Sequence, residues 1–147
     1  MATDNVQLVT AAEADKVART VRSWLNTYAD KPRASIDYEF LADPAGLTLT
    51  SIQAPYKTAQ YIDGTYQAQY QFAIIYRTIP ANASERLDAD EALNAYGAWA
   101  ETMTGLTLGE NMKAIKVTRN SLSALTSRFE DGAEDHQIQM TLLYEVI

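Results

Sequence analysis

The chain has 147 residues, no cysteine and a formal net charge of −7. This length suits one domain, residues 1–147, with a single hydrophobic core. The lack of cysteine excludes disulfides, cysteine metal sites and thiol nucleophiles.

The acidic balance also limits the partners that we expect. Proteins that grip nucleic acid do so largely through Lys and Arg on phosphates, so we expect no sequence-specific nucleic acid binding. No apolar run approaches the ~20 residues of a membrane span, and the first residues lack the pattern of a signal peptide. We therefore expect a chain made in the cytoplasm with no membrane partner.

The first predicted helix runs from about Thr10 to near Asp30. Thr10 to Glu13 has the form of a capping box, and Pro32 follows the predicted end. An apolar stripe with helical spacing belongs in the core; it consists of Ala14, Val17, Ala18, Val21, Trp24, Leu25 and Tyr28. We expect Trp24 to pack rather than to bind a ligand.

Two strands are predicted next. In Ser35 to Leu41, apolar residues alternate with acidic ones, which places Ile36, Tyr38 and Phe40 on one face. After turn residues at Asp43 to Gly46, a second strand begins at Leu47, with a possible bulge at Ser51.

A long β-hairpin is the clearest element of the sequence. Its first arm is Lys57 to Ile62 and its second arm ends at about Thr78, with Asp63-Gly64 as the turn. Strict alternation places one set of side chains on one face: Tyr66, Ala68, Tyr70, Phe72, Ile74 and Tyr76. The second arm exceeds the usual ~5–6 residues of a strand. We expect it to run past the sheet or bend across it, so that its projecting end offers unpaired backbone to a neighbour.

A second helix is predicted to open between Ser84 and Asp90. Asp88 to Glu91 can cap it, and Ser84 is a competing start. Its apolar stripe is Ala92, Leu93, Tyr96, Trp99, Ala100 and Met103, and Gly105 suits a left-handed C-cap. Gly97 inside the helix predicts close approach of another backbone, either in a helix–helix contact between subunits or, as we favour, on the chain's own sheet.

Three more strands complete the chain: Met112 to Thr118, Ala124 to Glu130 and Gln137 to Ile147. Glu130 to Asp135 is predicted to form an exposed acidic tip. The coarse order is helix, three strands, helix, three strands, with no residue-level repeat between the halves. Short connections favour antiparallel pairing, so the fold class is α+β, a mostly antiparallel sheet with a long β-hairpin and two main helices on one face.

No pattern of catalytic residues emerges. His136 lacks the partners of a zinc site, so we interpret it as structural or solvated. Asp88, Asp90 and Glu91 depart from an EF-hand loop and fit helix capping better. No phosphate loop or nucleophile elbow is present. We therefore predict no catalytic, cofactor-binding or metal residues, no cofactor and no enzymatic activity.

Tyrosine is concentrated in the hairpin. Five of the nine tyrosines lie there: Tyr56, Tyr61, Tyr66, Tyr70 and Tyr76. Tyrosine is common at protein interfaces, and it also stacks on single-stranded nucleic acid where basic residues are interleaved. The hairpin offers only Lys57 and Arg77 for that purpose. We therefore hypothesise an interface at Tyr61, Tyr66 and Tyr70, with ordinary sheet packing as the alternative.

The run from Tyr61 to Arg77, with a Trp24-Leu25 helix before it and a Trp99 helix after it, resembles a known group. It is similar to the small minor-capsid or tail-completion proteins of tailed phages and prophages of Gram-positive bacteria, which themselves resemble the tail-terminator group. The resemblance is strongest over the hairpin and weaker over Thr10 to Met103.

That resemblance implies an architectural virion protein. Such α+β subunits assemble as a homo-oligomeric ring, here expected to be a hexamer, that caps the tail tube and joins it to the head. Its partners would be tail-tube and head-connector proteins, and its location the neck of the virion. The alternative from another class is a monomeric acidic protein-binding or inhibitor module.

Overall fold

A computed structural model describes residues 16–41, 45–54 and 57–147. The predicted capping box at Thr10 to Glu13, Ala14, most of the turn around Pro44, and Tyr56 lie outside the described residues. Within the described ranges, no helix is long and apolar enough to cross a membrane.

The predicted α+β fold is confirmed. In the described part of the chain, two helices pack on one face of a mostly antiparallel seven-stranded sheet. Helix α1 is described over residues 16–25, and α2 spans Ala83–Glu101. The strands are β1 (Asp37–Tyr38), β2 (Gly46–Ile52), β3 (Lys57–Gln60), β4 (Tyr66–Thr78), β5 (Met112–Arg119), β6 (Ala124–Arg128) and β7 (Glu134–Val146).

The predicted order is wrong by one strand. Four strands, not three, precede α2, because both hairpin arms, β3 and β4, pair in the sheet in addition to β1 and β2. The β4 bounds agree with the predicted second arm, which follows from its regular alternation of apolar and polar residues.

Strands β4 and β7 form the centre of the sheet. They pair antiparallel along their full lengths, from Tyr66 opposite Val146 to Thr78 opposite Glu134. Two short strands lie end to end along the outer side of each: β2 and β3 beside β4, and β5 and β6 beside β7. The predicted projecting end of β4 is therefore wrong, since β3 and β7 pair with its first residues.

The two halves of the chain form an internal repeat with a constant spacing of 68 residues, as between positions 63 and 131. Thr48 pairs with Ile75 and Lys116 with Leu143. The register shifts between Lys57 and Ala59 in β3, and between their counterparts Leu125 and Ser127 in β6. The similar pairing in both halves gives the sheet an approximate two-fold axis at Phe72 and Met140, which face each other. The halves differ in that β5 shifts its register between Ala114 and Lys116, whereas β2 does not shift.

The repeat also appears at the level of residues, contrary to our prediction. At the same spacing, α1 and its following turn contain Leu25-Asn26 and Tyr28, while α2 contains Leu93-Asn94 and Tyr96. The strands share further identities, namely Asp63 with Asp131, Gly64 with Gly132, Gln69 with Gln137, Gln71 with Gln139, and Tyr76 with Tyr144. The identical residues are too dispersed to stand out without the structural alignment.

The core lies between the two helices and the sheet. Its largest fully buried side chains are Tyr96, Tyr144, Phe72, Leu25, Ile36, Leu47, Leu49, Ile74, Leu93, Ile138, Met140 and Leu142. The Tyr28 and Tyr96 rings, which are counterparts in the repeat, lie 4.7 Å apart. Trp24 stacks on Trp99 at 5.0 Å and donates its indole N–H to the Thr104 carbonyl, so it packs as expected.

Helix α1 ends at residue 25, earlier than the predicted end near Asp30. The amides of Thr27 and Tyr28 bond to the carbonyls of Trp24 and Leu25, three residues back. This tighter last turn ends the α-helix.

Strand β1 is much shorter than the predicted Ser35 to Leu41. Ile36 is buried, but Tyr38 is 43% exposed and Phe40 is 64% exposed. Glu39 has φ 53, which breaks the extended backbone and the alternation that the prediction needed. Strand β1 is also parallel to β2. The bulge predicted at Ser51 is absent, since β2 keeps one continuous register with β4.

Helix α2 begins before both predicted starts. Asn82 is the N-cap, and its side chain accepts the Glu85 amide at 3.0 Å. Asp88 to Glu91 therefore lie in the helix interior rather than at a cap. Gly105 is left-handed, with φ 74, but it follows the Thr102 C-cap by three residues.

Gly97 marks a close packing of α2 on the chain's own sheet, as we favoured. A Cβ atom added there would lie 2.7 Å from side-chain atoms of both Arg119 and Ile138. The close approach is thus to side chains of the sheet, and the predicted approach of another backbone is wrong.

The acidic segment Glu130 to Asp135 is only partly an exposed tip. Strand β7 begins at Glu134, and Glu134 and Asp135 are both buried. The exposed part is residues 130–132.

Candidate functional site

The tip of the long hairpin is an exposed apolar point on a rigid turn. The Tyr61 amide bonds to the Thr65 carbonyl at 2.9 Å, and Gly64, with φ 90, bonds to the Tyr61 carbonyl. Ile62 is fully exposed and Tyr61 is 43% exposed. Asp63 accepts the Thr65 hydroxyl at 2.7 Å, and that hydrogen bond lowers the pKa of the Asp63 carboxyl. The turn thus holds apolar side chains out in solvent.

The three tyrosines of the interface hypothesis do not share one exposed face. Tyr61 lies at the tip, but Tyr66 is 5% exposed and belongs to the core. Tyr70 is half-buried, and its hydroxyl lies 2.6 Å from the Ser51 Oγ. Burial raises the pKa of Tyr70 to about 12. An outward orientation of Tyr66 and Tyr70, which the hypothesis needed, does not occur in this subunit; Tyr61 remains available, and its role stays a prediction.

The counterpart of this tip lies at the opposite end of the sheet with the same backbone geometry. Gly132 also has φ 90. The Phe129 amide bonds to the Ala133 carbonyl at 2.8 Å, as Tyr61 does to Thr65. The residue at the fully exposed position of Ile62 is here Glu130. Equal turns therefore carry an apolar tip at one end and an acidic tip at the other.

A cluster of ionisable side chains, which we call the charged cluster, closes the sheet at the second end. It consists of Arg77, Arg86, Asp90, Arg128, Glu134, Asp135 and His136. Arg77 binds both carboxylate oxygens of Asp135, at 2.7 and 3.0 Å. Arg86 binds Glu134 at 2.8 Å, and Arg128 approaches the same carboxylate at 3.3 Å. These pairs tie β4, α2 and β6 to the first residues of β7.

His136 lies at the centre of this cluster and is 1% exposed. Its Nδ1 is 2.9 Å from the Asp90 carboxylate, and its Nε2 is 3.5 Å from a Glu134 oxygen without making a hydrogen bond. The Ser123 hydroxyl donates to the same oxygen of Asp90, at 2.7 Å. Of the two interpretations of His136, structural or solvated, the structure therefore supports the structural one: the imidazole is buried and paired with Asp90 of α2.

Ser123 and His136 are not arranged as a nucleophile and its base. A serine nucleophile would need its hydroxyl on a base, whereas Ser123 donates to Asp90 and leaves the imidazole untouched. Among the residues that the structure describes, no group of three or more His, Cys, Asp or Glu side chains is placed to hold a metal ion.

Sequence reasoning missed Asp90 and Glu134 as partners of His136. Asp90 had been assigned to a helix cap, although it lies in the interior of α2. Glu134 and His136 share one face of β7 because they are two residues apart, and they continue the buried series of Ile138 and Met140. That alternation was the available signal.

Glu134 is held ionised by its neighbours. Burial alone opposes ionisation and would raise its pKa. The hydrogen bond and the charge of Arg86, with the charges of Arg128 and His136, outweigh burial, so the pKa of Glu134 is lowered.

The two lateral edges of the sheet differ in charge. The strand order ends in β1 on one side and in β5 on the other. Asp37 lies in β1, and Glu39 follows it with its carboxylate on the Ser51 amide at 2.7 Å. Strand β5 carries Lys113 and Lys116, which are both exposed. Of these two edge strands, β1 is therefore acidic and β5 is basic.

Comparisons with known proteins give no family. No protein-family model matches the chain, and no curated protein matches it in sequence. Several solved structures are similar; one of them is similar over 91% of this chain and 95% of its own, with 13% sequence identity and a TM-score of 0.41. A likeness this weak carries no argument about function.

Proposed function

We propose that this protein is an architectural subunit of a phage virion, a tail-terminator-like protein that forms a ring at the end of the tail tube and joins it to the head. The proposal starts from the resemblance of Tyr61 to Arg77 to tail-completion proteins. It includes a homo-oligomeric ring, expected to be a hexamer, with tail-tube and head-connector proteins as partners in the neck of the virion.

The observation that supports it best is the exposed apolar tip of the hairpin. A fully exposed Ile62 beside a 43% exposed Tyr61 has no role in the core of the subunit. Exposed apolar groups on a rigid support are typical of protein–protein contacts. The tip is stiff because the Gly64 turn and the Thr65 bonds fix it, so little conformational entropy would be lost on binding.

The rival function is a monomeric acidic binding or inhibitor module. Such a protein would present its carboxylates as one exposed charged face. In this subunit two of the four carboxylates of the densest acidic segment turn inward, since Glu134 and Asp135 pair with Arg86 and Arg77. This arrangement favours the ring subunit over the mimic.

The test is the absolute mass of the protein by size-exclusion chromatography with light scattering, together with negative-stain electron microscopy. We expect a discrete closed oligomer with a central opening, consistent with a hexamer. An open-ended filament, or a strict monomer at every concentration, would contradict the proposal.

A further inference from the structure

The internal repeat shows that one edge of the sheet has a covering segment that the equivalent edge lacks. Thr48 and Leu49 of β2 pair with β1, and the next residues continue the cover, with the Glu39 amide on the Leu49 carbonyl at 2.9 Å. The counterparts of Thr48 and Leu49 are Lys116 and Val117 of β5. Among the described residues, β5 pairs with β7 alone.

Burial at equivalent positions reflects this difference. Thr48, beneath the covering segment, is 2% exposed, whereas its counterpart Lys116 is exposed. Ile115, next to it, is 37% exposed. An open strand edge presents unpaired N–H and C=O groups that can pair with another strand. Among the residues that the structure describes, the β5 edge is therefore the position at which the repeat lacks a strand.

The charge of the β5 edge limits which strands can pair with it. Lys113 and Lys116 make β5 basic, so two copies joined through β5 would place like charges together, which is unfavourable. The outer side of β1 is another edge of the sheet, and β1 carries Asp37. Arg22 and Asn26 bind the backbone of Ile36 just before the strand, and the Glu39 carboxylate just after it accepts the Ser51 amide at 2.7 Å. Asp37 and Lys116 also lie on the same side of the sheet, since Asp37 is level with Thr48 and Lys116 is the counterpart of Thr48. A second copy of this chain thus offers an edge of opposite charge.

Exposed apolar side chains flank the same two edges. Tyr38, which is 43% exposed, follows Asp37 in β1, and Phe40, which is 64% exposed, lies two residues further on. Ile115 lies between the two lysines of β5. A contact between these edges would bury apolar surface together with the complementary charges.

From these observations we infer that β5 of one subunit pairs with the outer edge of β1 in the next subunit. The contact places Lys113 and Lys116 near Asp37 of the second copy. Because the two edges lie on opposite sides of the sheet, the contact is head-to-tail, the kind that closes into a ring or grows into a filament. This inference rests on the proposed ring function and names the surfaces through which the ring forms.

The test reverses one charge on each edge. Lys116→Glu and Asp37→Lys should each raise the midpoint concentration of assembly about tenfold, because an attractive pair becomes a repulsive one. Lys116 is suited to this because it is exposed and lies opposite the apolar Leu143 within the subunit. Lys16→Glu, which makes the same change in net charge on the exposed side of α1, is the matched control and should leave the midpoint unchanged.

Mixing the two edge variants tests the direction of the contact. In a head-to-tail contact, the β5 edge of Lys116→Glu, now more acidic, meets the β1 edge of Asp37→Lys, now basic. The other two edges keep their wild-type charges and also attract each other. We expect the equimolar mixture to assemble within about twofold of the wild-type midpoint. Two weakened variants that stay weakened when mixed would overturn the head-to-tail pairing.

Failure of the contact and failure of the ring give different results. A wild-type ring that forms equally well with Lys116→Glu would overturn the edge contact and leave the ring standing. A wild-type protein that is a strict monomer would overturn both. Hydrogen exchange supplies a second readout: we expect the β5 amides to exchange fast in dilute monomer and slowly in the assembly. Slow exchange of β5 in the monomer would show that the subunit covers this edge itself and would overturn the inference.

Discussion

The two ends of the central strand pair have the same backbone and opposite chemistry. Strand β4 begins with Tyr66 and Ala68, which are buried among apolar residues. Strand β7 begins with their counterparts Glu134 and His136, which are equally buried but belong to the charged cluster. Both strands follow an Asp-Gly turn with φ 90 at glycine. The same turn and strand register therefore occur at both ends, whether the first buried residues of the strand are apolar, as in β4, or paired charges, as in β7.

The apolar end should be the more sensitive to truncation. Tyr66→Ala removes a core ring that is 5% exposed and should lower the free energy of unfolding by about 3 kcal/mol, because a large cavity remains. Urea denaturation measures this loss. The control is Tyr61→Ala at the exposed tip, which should change stability by less than about 0.5 kcal/mol. Equal losses for the two variants would contradict the core position of Tyr66.

The charged end should respond to loss of one carboxylate by a smaller amount. Glu134→Gln keeps the shape of the side chain but removes the charge that Arg86 and Arg128 share, so we expect a loss of about 2 kcal/mol in the same measurement. Glu130→Gln, on the exposed tip, serves as the control and should be nearly neutral. A neutral Glu134→Gln would show that the cluster contributes little net stability.

The two ends should also differ in their response to acid. The pKa of Glu134 is lowered in the folded protein from its ordinary value of 4.5, so this carboxyl stabilises the fold above that pH. The stabilisation is lost as the pH falls through the lower, folded pKa. We expect the Glu134→Gln variant to lose part of the acid sensitivity of the wild type in denaturation curves measured from pH 6 down to about pH 3. Parallel pH profiles for the two proteins would contradict this assignment.

Replacing the glycine in either Asp-Gly turn should lower the free energy of unfolding by a similar amount, and by less than the changes above. Gly64→Ala and Gly132→Ala each force alanine to adopt φ 90, which costs about 1 kcal/mol. Neither added Cβ meets a close neighbour, since none lies within 4 Å at Gly64 and the nearest atom at Gly132 is 3.6 Å away. Equal losses in urea denaturation would support the structural equivalence of the turns, whereas a large difference would count against it.

The pattern of neighbouring residues was enough to predict strand β4 and the turn before it. The alternation from Tyr66 to Tyr76 gave the β4 bounds, and Asp63-Gly64 gave its turn. The predicted β1 was too long, because the positive φ of Glu39 cannot be recognised from the alternation of apolar residues. The Asn82 cap was missed because Asp88 and Ser84 offer the same capping chemistry nearby.

The features that depend on distant contacts could not be predicted. Asp90 meets His136 only because α2 crosses the start of β7, and no spacing rule connects residues so far apart. The repeat was hidden for a different reason. Its buried positions tolerate exchanges such as Phe72 for Met140 and Ile74 for Leu142, because core packing requires volume and apolarity more than identity.

The absolute mass of the wild-type protein, measured by light scattering over a wide concentration range beside Lys116→Glu and Lys16→Glu, tests the ring subunit most directly. We predict a discrete closed oligomer for the wild type and for Lys16→Glu, and a shift of about tenfold toward monomer for Lys116→Glu. A wild-type protein that remains a monomer at every concentration would contradict the proposal that this sheet, with its oppositely charged edges, is built to assemble.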